Sequence, residues 1–488
     1  MVDIPKVLSP DEVGGWDRSA DVVVIGQGVA GTCAALEAHR AGADVLIVER
    51  ASGGGGASAL SSGIFYLGGG TAVQRHFGYE DNADEMAAFM MASCDPLDPL
   101  AVRRFCNDSA DHFDWLEDQG VPFERTEFKG KAVYLTDTTC LMSTGNEKLW
   151  PYSKIAKPSP RGHKVAGEGE NAGAAGMAPL LRKCEDEGIP AIYDSNVVAL
   201  VQNAQGRVVG VRVKQSDGII HVEARRGVVI AAGSFNLNHE MIAENLPLLG
   251  ETSEPLGTPA NDGAGVLLGL SAGAGTSAMD GVIPTGSIYP PGQLIKGIIV
   301  NKRGERFVAE DSYHGRTGNF TMEQPDQKAW LIVDSEIFAY PENKFANHQL
   351  VDGFETVEEM EARLELPAGS LVRTMNEYNA NAEKGEDPYL HKAKDWLKPL
   401  DKGPWAAFDI SFDRSTYLFI TLGGLRTGPD GECLTPRSEP IPGLYAVGAS
   451  AAHIPRNGKA YASGMSLGPG SYFGRRAGRH AAGANWTG

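Results

Sequence analysis

The stretch Asp21-Val-Val-Val-Ile25-Gly26-Gln-Gly28-Val29-Ala30-Gly31 decides the fold of this chain. Val22 to Ile25 is a continuous β-branched apolar run, as a parallel strand buried on both faces requires. It passes directly into the spacing G-x-G-x-x-G and then into a helical run carrying Ala34, Ala35, Ala38 and Ala41. Gly26 permits the tight turn, Gly28 lets the backbone approach a pyrophosphate, and Gly31 allows close packing of helix on strand. Val29 and Ala30 open the helix, whose unpaired N–H groups and dipole face the phosphates. After Gly42 a second strand, Asp44-Val-Leu-Ile-Val48, ends at Glu49, placed to accept ribose hydroxyls. A glycine motif alone is weak evidence. Strand, glycines, helix, second strand and terminal acid in this order predict a dinucleotide-binding βαβ unit.

Working outward, Glu49 is followed by Arg50 and by the small-residue stretch Ala51 to Gly63, which can thread past a large cofactor. Ser58, Ser61 and Ser62 offer hydroxyls to phosphate or flavin edges, and Gly63 leads into the apolar Ile64-Phe-Tyr-Leu67. Later segments favour FAD over a nicotinamide cofactor. Asn196 to Lys214 reads as strand, turn at Gly206, and strand, with Val197 near its start. Gly227-Val-Val-Ile-Ala-Ala232-Gly233 is another buried strand ending in a glycine turn, with Asn238 just beyond. Ile441-Pro-Gly-Leu-Tyr-Ala-Val-Gly448 is a third such segment, and no second G-x-G-x-x-G unit exists to hold NAD(P). Ser466 and Leu467 lead into Gly468, where a helix is expected to aim its N–H groups at the flavin pyrimidine oxygen. All of these positions are candidate cofactor contacts.

Composition bounds the rest. A chain of 488 residues exceeds one ordinary core, so two domains are expected. Its 61 glycines are well above the roughly 7% background and cluster in short runs without a repeat. A formal charge of −18 with no long Lys/Arg run disfavours nucleic acid and anionic membrane surfaces as partners. The six cysteines are scattered, with neither C-x-x-C nor zinc spacing, so free buried thiols and no metal site are expected. Met1 to Trp16 has no apolar signal-peptide core, and no segment approaches a membrane span; a cytoplasmic location is the expectation.

With these motifs in place, the chain resembles the flavoproteins of the fumarate reductase/3-ketosteroid dehydrogenase family. The resemblance rests on the first βαβ unit, A-A-G-S-F at 231–235, N-K-R-G-E-R-F-V-A-E at 301–310, T-L-G-G-L at 421–425 and I-P-G-L-Y-A-V-G at 441–448. It implies an α/β fold: a Rossmann-like FAD-binding domain built from both chain ends, with an inserted α+β catalytic cap. The expected boundaries are 1–275 and 409–488 for the FAD-binding domain and 276–408 for the cap. Within that middle region the parallel-strand texture gives way to turns, aromatics and a helix announced by Thr356-x-x-Glu359. Covalently flavinylated members carry a histidine where this chain has none between Ala51 and Gly70, so non-covalent FAD is expected.

The resemblance also addresses the substrate. Dicarboxylate reductases of the family use two arginines, one after the R-F-V-x-E motif and one in the C-terminal loop. Here those positions fall on His314, beside Tyr313, and on Tyr461. Arg316, Arg426 and Arg456 lie nearby and keep a fumarate reductase-like alternative open. Tyr461 and Ser463, two positions apart in an extended loop, can share one side of it. Together with Tyr313 they resemble the 3-ketosteroid dehydrogenases, most of all those forming the carbon 4–5 double bond of 5α-3-ketosteroids; 1-dehydrogenases come second. Desaturating a ketone requires an α-proton to leave and a β-hydride to reach the flavin. Tyr461 is expected to stabilise the enolate oxygen, Ser463 to take the proton, and Tyr313 to relay it. The expected partners are thus a small 3-ketosteroid and an electron acceptor of unidentified chemistry. His314, His453 and His163 read as solvated or core histidines. A flavin-binding electron carrier or sensor, the alternative of another class, would need neither the cap nor Tyr461 and Ser463.

Overall fold

The computed structural model describes residues 3–486. At its centre lies the strand Arg18–Ile25, buried on both faces over its last four residues, as its apolar run predicts. It pairs in parallel with Gly218–Ile230 on one side and with Val45–Val48 on the other. The sheet continues through Pro440–Ala446, parallel to Gly218–Ile230, and ends on Glu432–Leu434. At its other edge stands Ala191–Ile192. Strands far apart in the chain thus meet in this sheet: Arg18–Ile25 lies beside Gly218–Ile230, which lies beside Pro440–Ala446. The hairpin Asn196–Gln202 and Val208–Gln215 joins the outer half of Gly218–Ile230 in antiparallel fashion.

The helix Val29–Arg40 crosses from the first strand to the second and packs against the C-terminal helix Leu467–Ala481. That contact is unusually close. A Cβ at Gly474 would stand 2.3 Å from the Ala30 carbonyl oxygen, and one at Gly478 only 2.0 Å from that of Ala34. Two glycines one helical turn apart thus let the last helix lie backbone-to-backbone on the helix Val29–Arg40. Beneath the contact, Arg475 is buried with its Nε 3.3 Å from Glu37, and its guanidinium lies over the Trp115 and Trp486 rings.

Between the two halves the chain forms a separate four-stranded antiparallel sheet in the order Ile298–Asn301, Ala329–Asp334, Trp405–Asp409, Gln349–Phe354. It has its own apolar cluster, running from Ile288 to Ile410. Thr356 caps the helix Val357–Arg363 by accepting the Glu359 N–H, the local signal read in the sequence. Arg306 of the R-F-V-A-E motif ties this unit together, with charge-assisted bonds to buried Glu310 and Asp387. The strand Val282–Thr285 pairs with Tyr417–Thr421, so the chain leaves and re-enters this region at adjacent strands. Among the described residues all six cysteines are buried free thiols, and no helix is long and apolar enough to cross a membrane.

Candidate active site

The dinucleotide site has the geometry its glycines require. Gly26 has φ +98°, and a Cβ there would meet the Ala231 carbonyl oxygen at 2.4 Å; at Gly31 one would meet the Gly26 carbonyl oxygen at 2.0 Å. Gly28 caps the helix Val29–Arg40 with no side-chain bond, and the first intrahelical bond is Thr32 N–H to Gly28 O. The N–H groups of the first turn therefore have no intrahelical partner, and those other than Val29 N–H are open to phosphate oxygens. Ser58 lies against this turn, its hydroxyl oxygen accepting the Val29 N–H. Glu49, at the end of the second strand, accepts the N–H groups of Gln27 at 2.7 Å and Ala51 at 2.8 Å. Each of its oxygens keeps a second lone pair for a ribose hydroxyl. Gln27 Oε1 is buried without a partner beside this turn, an acceptor that a ligand group can satisfy.

The remaining cofactor candidates divide by what their side chains already do. Ser61 is spent locally, donating to Ser58 O and accepting the Gly63 N–H. Ser62 is half-buried beside it. Arg50 pairs with Asp262 at 2.5 Å. Asn238 caps the helix His239–Asn245 and also donates to Asp262 O, so its role in this fold is to hold that aspartate's segment. Val197 is a buried residue of the apolar cluster that includes Ile25 and Val48. Ala232 and Gly233 follow the strand Gly218–Ile230, and the Gly233 carbonyl accepts from Ser450. Gly448, with φ +60°, approaches Ala30 so closely that a Cβ would stand 2.8 Å from the alanine methyl.

The C-terminal loop carries Tyr461 and Ser463. Gly464 fixes it: φ is +98°, a Cβ would meet Tyr66 N at 2.5 Å, and Tyr66 N–H donates to Gly464 O at 3.1 Å. One residue earlier, Ser463 N–H donates to Thr144 O at 2.9 Å. This docking brings the Ser463 hydroxyl within 3.0 Å of the Tyr313 hydroxyl, a residue 150 positions away in the chain. The Tyr461 ring lies 6.4 Å from that of Tyr313. Both phenols are buried; burial raises Tyr313 well above the usual phenol range and pushes Tyr461 up to about 12. Both are therefore neutral hydroxyls at working pH. Ser466 pulls Tyr461 the other way, through its hydroxyl and its backbone N–H.

Other residues join this cluster. Asn146 ties Tyr313 to the C-terminal loop: its Oδ1 accepts the Tyr313 N–H at 3.0 Å and its Nδ2 donates to Lys459 O at 3.4 Å. An asparagine in a loop carries no sequence signal for such a task. Ser466 occupies the N-cap of the helix Leu467–Ala481, where a capping serine is ordinarily worth about 0.5–2 kcal/mol. It makes no capping bond; its hydroxyl stands 2.8 Å from Tyr461 Oη and 3.3 Å from His453 Nε2. His453 is thus neither solvated nor merely packed. His163 is structural, bonded to Thr71 Oγ1 and Arg161 O. His314 is buried with Tyr289 and driven down to about 3 by that burial, so it is neutral and no substitute for an arginine. Of the nearby arginines, Arg316 donates to Tyr152 Oη and Lys459 O and Arg456 pairs with Asp95, whereas Arg426, after the short strand Gly424–Leu425, is held through its backbone N–H to Gly275 O.

Residues 21–463 match the model of the FAD binding domain family. The chain belongs to that family. It is a flavin-dependent oxidoreductase, and its cofactor is FAD. A 3-ketosteroid-Δ4-(5α)-dehydrogenase from Rhodococcus jostii RHA1, solved with 4-androstene-3,17-dione, is 42% identical with a TM-score of 0.92, covering 98% of this chain and 99% of that one. The 3-oxo-5-alpha-steroid 4-dehydrogenase of Comamonas testosteroni is 30% identical, over 91% of this chain and 95% of that protein. A 3-ketosteroid Δ1-dehydrogenase from Sterolibacterium denitrificans shares the fold at 22% identity and a TM-score of 0.69, covering 96% of this chain and all of that one at 100%.

Proposed function

We propose that this protein desaturates a 5α-3-ketosteroid between carbons 4 and 5, with FAD held non-covalently and the region 276–408 acting as the catalytic cap. The observation that carries the reading is the 3.0 Å contact of the Tyr313 and Ser463 hydroxyls, with the neutral Tyr461 phenol alongside. FAD supplies the acceptor for the hydride that leaves carbon 5. Tyr461 donates its O–H to the carbon 3 ketone oxygen and stabilises the negative charge that develops there as carbon 4 loses its proton. Ser463 Oγ takes that proton while its own passes to Tyr313 Oη and the Tyr313 phenol proton leaves in turn to water, so no isolated serine alkoxide is required and Tyr313 ends neutral. A buried neutral site suits an apolar ketone, whereas two carboxylates would need fixed cations. Arg316 and Arg456 are engaged elsewhere, which argues against the dicarboxylate alternative. The 4–5 bond rather than the 1–2 bond is supported by the higher similarity to the Rhodococcus and Comamonas proteins, whose own activity is of that kind.

Two results are expected. The purified protein is yellow and releases unmodified FAD on denaturation, because no histidine lies between Ala51 and Gly70 to tether it. Flavin remaining on the denatured polypeptide would refute this. Under anaerobic conditions a 5α-3-ketosteroid bleaches the flavin and yields the 4-ene-3-ketone, identified by mass and chromatography against 1-ene and 4-ene standards. Formation of the 1-ene, or efficient fumarate reduction without response to any 3-ketosteroid, would overturn the reading.

A further inference from the structure

A hydrogen-bonded chain leads away from Tyr461. Tyr461 Oη lies 2.8 Å from Ser466 Oγ, which lies 3.3 Å from His453 Nε2, and His453 Nδ1 lies 3.1 Å from the Leu422 carbonyl oxygen. A carbonyl oxygen only accepts, so Nδ1 carries the imidazole proton. Burial drives His453 down to about 4, so the ring is neutral and its Nε2 is an acceptor only. Ser466 therefore has one proton and two acceptors, His453 Nε2 and Tyr461 Oη. The same serine stands at a helix N-cap and leaves the cap unmade, its hydroxyl turned to Tyr461 and His453.

We propose that Ser466 is a positioning residue for Tyr461, a pivot whose hydroxyl proton turns from His453 Nε2 to Tyr461 Oη as Tyr461 commits its own proton to the substrate oxygen. This rests on the reading of Tyr461 as the donor to the ketone. Before that commitment the chain runs Tyr461 O–H to Ser466 Oγ, and Ser466 O–H to His453 Nε2, which keeps both buried hydroxyls paired. When Tyr461 turns to the ketone, Ser466 no longer receives its proton and can donate to the phenol oxygen instead. Negative charge developing on the substrate oxygen draws density through Tyr461, and a donor behind the phenol becomes charge-assisted as it does so. Only hydrogen bonds are exchanged; every proton stays on its own oxygen. His453 acts as the acceptor that satisfies the serine in the first arrangement and releases it in the second.

The test uses the FAD-loaded full chain and two readouts: turnover of a 5α-3-ketosteroid, and the carbon 3 carbonyl stretch of bound, isotope-labelled 4-androstene-3,17-dione by difference infrared spectroscopy. Ser466→Ala is expected to lower kcat about tenfold, as for one lost hydrogen bond to a charge-bearing partner, with KM changed less than about threefold. The carbonyl stretch then moves up in frequency, and Ser466→Thr restores both. His453→Leu removes the competing acceptor and moves the stretch below its wild-type frequency. In a Tyr461→Phe background, Ser466→Ala has no further effect on kcat, the non-additivity expected of residues acting through one another. Unchanged kcat and stretch in Ser466→Ala, an additive loss on Tyr461→Phe, or an upward shift in His453→Leu with full FAD content would each overturn the proposal. The underlying reading fails separately: it falls if Tyr461→Phe alone turns over normally, whereas a loss in Tyr461→Phe without one in Ser466→Ala sinks only the pivot.

Discussion

Ser463→Ala is expected to slow substrate-driven flavin bleaching by about 10²–10⁴-fold, the usual range for removal of a positioned proton acceptor. The loop geometry makes this variant clean. Ser463 is held by its own backbone N–H, donated to Thr144 O, and by Gly464 docked on Tyr66, and neither contact involves the hydroxyl that is lost. FAD content should therefore match wild type, and the variant should still bind the steroid. Tyr313→Phe removes only the second member of the pair, and water can take over part of its task, so its loss is smaller. Stopped-flow bleaching under anaerobic conditions gives both rates; near wild-type bleaching in Ser463→Ala with flavin fully bound would remove this loop from the chemistry.

Tyr461→Phe is the second large effect, about 10²–10³-fold in rate, by comparison with removal of one oxyanion donor elsewhere. The sign of its pH dependence follows from burial. Tyr461 is pushed up to about 12, so the phenol stays protonated and remains a donor as pH rises through the ordinary phenol range near 10. Wild-type turnover is then not expected to fall between pH 7 and 10 on account of Tyr461. The variant should bind the ketone product with a higher carbonyl stretching frequency. Equal turnover in wild type and Tyr461→Phe would leave the ketone oxygen without its assigned partner.

What could be read from the chain was local. The strand Arg18–Ile25, the glycine turn and Glu49 lie within about thirty consecutive residues, and their side-chain period and turn sterics are written in that segment alone. The Thr356 cap is of the same kind. Tyr313, Tyr461 and Ser463 became candidates through motifs shared with a family; no local pattern distinguishes them from packed aromatics or a turn serine. Asn146 had no signal at all, and His453 read only as a solvated or core histidine, since its place beside Ser466 is set by packing. Ser466 was visible as a residue opening a helix beside the flavin, but its side chain serves Tyr461 instead of the cap, a choice made by neighbours far away in sequence.

By itself, then, the sequence determined a dinucleotide-binding unit, a glycine-rich cofactor edge and a chain with no fixed pair of cations at the expected positions, because backbone sterics and residue charge act over a few neighbouring residues. The tertiary structure alone decided that the Tyr313 and Ser463 hydroxyls meet at 3.0 Å, and that His453 presents a bare Nε2 to Ser466. Those contacts depend on the last helix lying backbone-to-backbone on the first through Gly474 and Gly478, and on Gly464 settling against Tyr66. Such approaches are set by packing between segments hundreds of residues apart, where what matters is the absence of a Cβ on one partner and the position of a carbonyl on the other.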